Sequence, residues 1–151
     1  VGGNTHENTV EVISAVTYQN EIKNPVTTNT TDSKIEYKAK IGLMYASDYG
    51  FAASPSAWTT NIIDYNGNDS NGTSIKTINW MHMGFNEWTV SRRADRSDFA
   101  FFMYQNSMSG DGGIGGAYVS SHFAIRPSFN LVSSVNYKSG AGTMSDPIIL
   151  S

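Results

Sequence analysis

Between Asn79 and Leu131 every apolar run is the length of a strand and is bounded by Gly, Ser, Asn or Asp, without the 3.6-residue spacing of an amphipathic helix. That patterning confines the segment to sheet. Its runs are Asn79 to Ser91, which carries Trp80 and Trp88, then Phe99 to Tyr104, then an alternating stretch ending Ile125-Arg126-Pro127-Ser128-Phe129-Asn130-Leu131. Between them lie a charged turn, Arg92 to Asp98, and a glycine cluster, Gly110 to Gly116. Both are expected to be long loops, and the loops to be the working surface.

The flanking sequence adds smaller pieces. Residues 1 to 8, with His6, read as a loose leader, and the β-branched run from Val10 to Tyr18 predicts a strand. Asn24 to Ser33 is rich in turn formers and reads as a loop or extended edge. Lys40 to Tyr45 predicts a better strand, feeding a short helix capped by Ser47, favoured by Asp48 at its positive end and stopped by Pro55. Val132 to Tyr137 alternates, and Asp146 to Leu150 predicts a closing strand paired with an early one. The expected fold is α+β, mostly β, with few short helices. Residues 1–39 form an N-terminal extension or added strand, and 40–151 the domain proper.

At 151 residues the chain fits one core, and no period of 20 to 50 residues marks a repeat array. Charged residues are only 15% of it, below the usual quarter, with Asn, Ser, Thr and Gly in their place. That profile suits a β-rich secreted domain. With 10 basic and 13 acidic residues the net charge is -3, which argues against nucleic acid. The absence of cysteine removes disulfides, thiolate metal sites and thiol nucleophiles together. No apolar run reaches the ~20 residues of a membrane span. Starting at Val1 rather than Met, the chain reads as a processed piece whose signal or anchor lies elsewhere.

Several motifs have chemistry to offer. Asp64, Asn66, Asn68 and Asp69 gather hard oxygens in one short loop and are candidate calcium ligands, the only cofactor the sequence suggests. The EF-hand pattern fails, since Asp69 stands where Gly is needed and Ile75 where the bidentate Glu belongs, and an ordinary Asn/Gly turn is the competing reading. Gly110-x-Gly112-x-x-Gly115 matches a dinucleotide fingerprint, but a strand-like alternation from Ala117 to Ile125 follows where a helix is required, so the cluster reads as a hairpin connection. No zinc spacing links His6, His82 and His122, no nucleophile elbow surrounds a serine, and Glu87 lacks an assignable second carboxylate. Arg126, inside an apolar strand, is expected to be structural and held by Glu87 or Asp48.

In a chain so poor in charge, Arg92, Arg93, Asp95 and Arg96 stand out. A solvated turn is the bland reading. The sharper one is a recognition loop, because Arg and Tyr carry interface energy while Asn and Ser supply adaptable hydrogen bonds. Tyr104, Asn106, Tyr118 and His122 would extend that face, with Trp58 as a further stacking residue.

Four blocks, from Ile41-Gly42-Leu43-Met44-Tyr45 through Ala52, Trp80-Met81-His82-Met83-Gly84 with Glu87-Trp88-Thr89-Val90-Ser91, Ile125 to Leu131, and Ser139-Gly140-Ala141-Gly142-Thr143 to Pro147, occur in an order that resembles a large family of bacterial surface domains, often carried behind pilin-like N-termini. The order Glu-Trp-Thr, variable loops, Arg-Pro is also similar to the C-type-lectin-like fold of formylglycine-generating enzymes. The resemblance implies a single C-type-lectin-like domain in which Trp88 and Arg126 are framework and the loops from Arg92 to His122 meet the ligand. The thiols of formylglycine-generating enzymes are missing, as are the Glu-Pro-Asn and Trp-Asn-Asp motifs of calcium-dependent lectins. The expectation is therefore a non-enzymatic, extracellular, adhesin-like domain of the bacterial cell surface that binds a glycan or a surface protein. The alternative is a filament or pilus subunit that self-assembles by strand addition, with residues 9–39 deciding between them.

Overall fold

The structure, a computed structural model, describes residues 12–23, 39–93, 98–106, 111–141 and 145–151, with Ile22, Lys23, Arg92, Gln105, Asn106 and Asp111 described by their backbone alone. In chain order its elements are α1 (Ser14–Tyr18, extended by a wider turn, Gln19–Lys23), β1 (Gly42–Leu43), α2 (Ala46–Phe51), α3 (Ile75–Ile78), β2 (Glu87–Arg92), β3 (Phe99–Asn106), β4 (Asp111–Tyr118), β5 (Pro127–Ser128), β6 (Tyr137–Ser139) and β7 (Ile149–Leu150). The protein is α+β and mostly strand, with few short helices. No described helix is long and apolar enough to cross a membrane.

The central sheet is an antiparallel meander, β2-β3-β4. Alternation along β3 sends Phe101 and Met103 into the core, where Met103 pairs with Ile114, and leaves Phe102 and Tyr104 on the other face. Met44, Tyr49, Ile62, Tyr65 and Ile75 complete the buried cluster. The glycine cluster corrects the hairpin-connection expectation, because it is strand β4, in register with β3 along its whole length. Glycine alone weakens a strand, but here the missing side chains leave room that aromatic rings fill. A Cβ on Gly115 would lie 3.3 Å from both Phe102 and Tyr104, and one on Gly113 only 2.9 Å from the Ile63 carbonyl. Of the strand expected from Ala117 to Ile125, Ala117 and Tyr118 end β4 and a turn follows, closed by Ser121 N–H on the Tyr118 carbonyl, after which Ala124 bridges to β2.

At the N-terminus a helix stands where a strand was expected. Tertiary contacts override β propensity, because the polar residues of Ser14–Tyr18 are the ones that find partners. Ser14 and Thr17, three apart on one face, are fully buried while Val16 and Tyr18 reach the surface. Ser14 Oγ lies 2.9 Å from Tyr65 Oη, which donates to the Gly50 carbonyl at 3.0 Å. Farther along, buried Glu21 accepts from Ser91 Oγ at 2.5 Å and from Ser47 N–H at 3.2 Å. Ser47 is thus a buried donor rather than a cap. Helix α2 starts two residues earlier, capped at Tyr45, whose N–H donates to Asp48 Oδ2 at 2.8 Å, and ends at Phe51, leaving Pro55 to open a separate 3-10 turn.

The closing strand also departs from expectation. β7 pairs with β6 rather than with an early strand. Local turn chemistry decides this, since Gly140 takes φ 101°, its carbonyl accepts from Tyr137 Oη, and Asp146 accepts from Ala141 N–H. β5 returns to pair with β1.

Gly50→Ala separates packing from propensity. Helix propensity alone favours Ala by ~1 kcal/mol, but the new methyl would sit 2.8 Å from Ser14 Cβ and 3.1 Å from Ile62 Cγ2. Urea denaturation should show a net loss of about 1–3 kcal/mol. Burial raises the Glu21 pKa above the ordinary carboxylate value, with the Ser47 and Ser91 hydrogen bonds opposing it. Its folded pKa exceeds the unfolded one, so the fold binds more protons and this contribution to stability is lost as pH rises through the raised value. Denaturation at pH 4.5 and pH 7 should therefore show a smaller loss across that interval for Glu21→Gln than for the parent chain.

Candidate functional site

The framework expected of Trp88 and Arg126 assembles around the start of β2. Arg126 Nη2 donates to Glu87 Oε2 at 2.6 Å and to the Met81 carbonyl at 3.0 Å, and Nε reaches Glu87 Oε1 at 3.3 Å. Of the two expected partners Glu87 is the one used. It is buried, and its two-point pairing is the kind of charge-assisted contact that makes burying a carboxylate tolerable. On the opposite face of β2, Trp88 packs 4.8 Å from Phe123 and 6.1 Å from Phe102, and those two phenylalanines stack at 4.4 Å. With both Glu87 oxygens occupied by Arg126, its role is structural.

The residues expected to bind ligand do not form one face. At one end of the sheet Arg93 places its guanidinium 4.7 Å above the Phe99 ring, and Tyr118, paired across from Phe99, meets that ring edge-on at 4.3 Å. Tyr118 is 51% exposed and Asp98 is exposed beside it. This cationic-aromatic tip flanks the turn in which Asp95 and Arg96 lie outside the described residues. The Arg92 backbone pairs with Ala100 in the same region. Asn106 ends β3 across from Asp111, roughly 23 Å away at ~3.3 Å per residue. Tyr104 is half-buried, its ring lying over Gly113 and Gly115 on the face of the sheet away from the core. His122 is exposed in the turn after β4, beyond Tyr118.

The candidate calcium loop is organised by its own backbone. Asp69 Oδ1 accepts from Asn71 N–H at 2.9 Å and Thr73 N–H at 2.7 Å, and hydrogen bonds led by the Ser56 hydroxyl hold its pKa below the usual range. That is the work of a turn-former. Asp64, Asn66 and Asn68 stay at the surface, and among the described residues no three His, Cys, Asp or Glu side chains gather as a metal group. His82 sits against Tyr49, with Nδ1 3.4 Å from Oη, and desolvation lowers its pKa. Trp58 is anchored by Nε1 on the Ala53 carbonyl, edge-on to Phe51.

Two concavities lie where sequence reasoning placed no site. A groove of about 610 Å³ runs beside β1 and β5, between Tyr18, Ile41, Tyr45 and Phe129. A smaller cavity of about 320 Å³ opens between α2 and Trp80, sharing Asp48 and Ser128 with the groove. Trp80 is 75% exposed, and that exposure was the missed feature, because an apolar run bounded by turn formers gives no sign of which ring faces outward. Comparison with family models, with curated proteins and with solved structures finds no match to the chain.

Arg126→Met keeps the bulk of the side chain but strands the Glu87 charge. Because the guanidinium is partly open to water, the expected loss is about 2 kcal/mol rather than the ~3–5 of a fully buried pair. Adding Glu87→Gln should recover most of it in the same denaturation measurement, a coupling that lost packing alone would not give.

Proposed function

We propose that this is an extracellular, adhesin-like recognition domain of the bacterial cell surface, with a C-type-lectin-like arrangement, and that it binds a glycan or a surface protein without chemistry. One observation carries the reading. The Arg93, Phe99 and Tyr118 side chains form a braced cationic-aromatic tip at an exposed sheet end, on both sides of the segment whose Asp95 and Arg96 lie outside the described residues. A guanidinium on an aromatic face loses little freedom on binding and offers donors to carboxylates or sugar hydroxyls. The Glu87–Arg126 pairing supports the C-type-lectin-like expectation, since it ties Glu-Trp-Thr to Arg-Pro and leaves the intervening loops free to vary. This reading is preferred to a filament subunit built by strand addition because, within residues 9–39, the described stretch 14–23 is helical and tied to its own chain; residues 24–38 lie outside the described residues.

The triple variant Arg92→Ala, Arg93→Ala, Arg96→Ala should lose binding on a combined glycan and cell-surface protein array, and Tyr118→Ala should weaken it about tenfold. Stability should change by no more than ~0.5 kcal/mol for each surface substitution. Tyr104→Ala reverses the pattern, losing stability and keeping affinity. Retained binding in the triple variant would overturn the assignment.

A further inference from the structure

The cavity between α2 and Trp80 has a composition of its own. Asp48, Phe51 and Ala52, at i, i+3 and i+4 of one helix, share a face and form one wall. Trp80 forms the other. Met44 and Met81, both buried, contribute their polarisable thioethers, and Ser128 lies at the side. The walls are held before any ligand arrives. Asn79 donates to the Tyr49 carbonyl and accepts from Met81 N–H, both at 3.0 Å, which fixes the turn on either side of Trp80 while its indole stays open. Phe51 is braced from behind by Trp58, edge-on at 5.5 Å.

Charge decides what fits. Asp48 is the one ionisable side chain lining the cavity, and among the described residues no cation pairs with it. The adjoining groove adds Lys40, which does not line the cavity. An anion would be repelled by Asp48. A sugar would bring a ring of hydroxyls to a site whose described lining offers them only Asp48, Ser128 and the Trp80 indole N–H as side-chain hydrogen-bonding partners. A methylated ammonium satisfies every wall, because its diffuse charge suits aromatic faces and a carboxylate while its methyl groups need no hydrogen bonds.

We propose that this cavity binds a small alkylated ammonium ion, its cation against Trp80 and Phe51 with Asp48 as counter-charge. The volume of about 320 Å³ accommodates a choline-sized ion. The site is separate from the Arg93 tip, so each can fail without the other.

Isothermal titration at fixed ionic strength, with choline chloride and with its uncharged isostere 3,3-dimethylbutan-1-ol, tests the proposal. Choline should saturate with a Kd of about 1 mM and the neutral analogue should bind about tenfold more weakly. Trp80→Ala, at an exposed position, should abolish choline binding. Asp48→Asn keeps an oxygen for Tyr45 N–H, so α2 keeps its start, and should weaken choline about tenfold without changing the neutral analogue. Should Asp48→Asn unfold, the two-ligand comparison on the parent chain still decides. The Arg92, Arg93, Arg96 triple variant should bind choline normally. Equal affinity for the two ligands, unchanged binding in Trp80→Ala, or no saturation by about 100 mM would each overturn the proposal.

Discussion

The face that β2 turns inward is polar. Glu87, Thr89 and Ser91 are buried while Val90, between them, is half exposed, which inverts the usual apolar-in alternation. Such a face is stable only if every group on it is satisfied, since an orphaned buried polar group costs about 1–3 kcal/mol. Each finds its partner in a different part of the chain. Glu87 takes Arg126 from beyond β4, Thr89 Oγ1 donates to the Phe101 carbonyl on β3, and Ser91 Oγ donates to Glu21 in the N-terminal segment. One strand therefore fixes three other parts of the chain by hydrogen bonds, where a hydrophobic face would have fixed them only by shape.

This arrangement explains how the N-terminal segment is integrated. Val16 and Tyr18 reach the surface, so apolar burial does little to hold it. What holds it is a relay in which Ala46 N–H donates to Ser91 Oγ and Ser91 Oγ donates to Glu21, with Ser14 and Tyr65 making a second tie at the other end. Polar ties of this kind specify one docked position more sharply than they stabilise it, because desolvation of Glu21 offsets much of the hydrogen bonding. Gly50 completes the fit by letting α1 approach closer than a methyl would allow.

What could be read from the sequence follows from which partners were local. The run Phe99 to Tyr104 is a strand because a short apolar run bounded by turn formers suffices, whereas of the run from Asn79 to Ser91 only the alternating part from Glu87 is a strand. The Arg126–Glu87 pair was legible because an arginine in an apolar strand must have a counter-charge and few were on offer. The N-terminal helix and the glycine strand were not legible, for one physical reason. Ser14 is helical because Tyr65 accepts it, and Gly113 is in a strand because Tyr104 covers it, and neither neighbour is close in sequence. Which of the candidate ligand residues lie together was half legible. Arg93 and Tyr118 do meet across Phe99, but Tyr104, two residues from the far end of the same strand, could be separated from them only once the register was known.

The C-terminal part of the chain shows what the inverted strand leaves undone. Ile125, Phe129, Leu131, Val132 and Tyr137 are all largely exposed, so little apolar burial holds the segment beyond Ala124. Among the described residues, Phe123 packed on Phe102 and Trp88 and the Ala124 bridge to β2 anchor its near end, and the two-residue ladder of β5 with β1 and Arg126 follow. A short ladder is marginal alone, and β6 and β7 pair with each other in a two-stranded sheet. Beyond Ala124 the free energy that keeps this region docked is therefore concentrated in the Arg126 contacts with Glu87 and Met81. Local opening should begin at β6–β7 and stop at Arg126, the point where release would strand a buried carboxylate. The cavity beside Trp80 lies on the body side of that point for six of its seven lining residues, with Ser128 alone across it, so the walls keep their shape whether or not the two-stranded sheet beyond is docked.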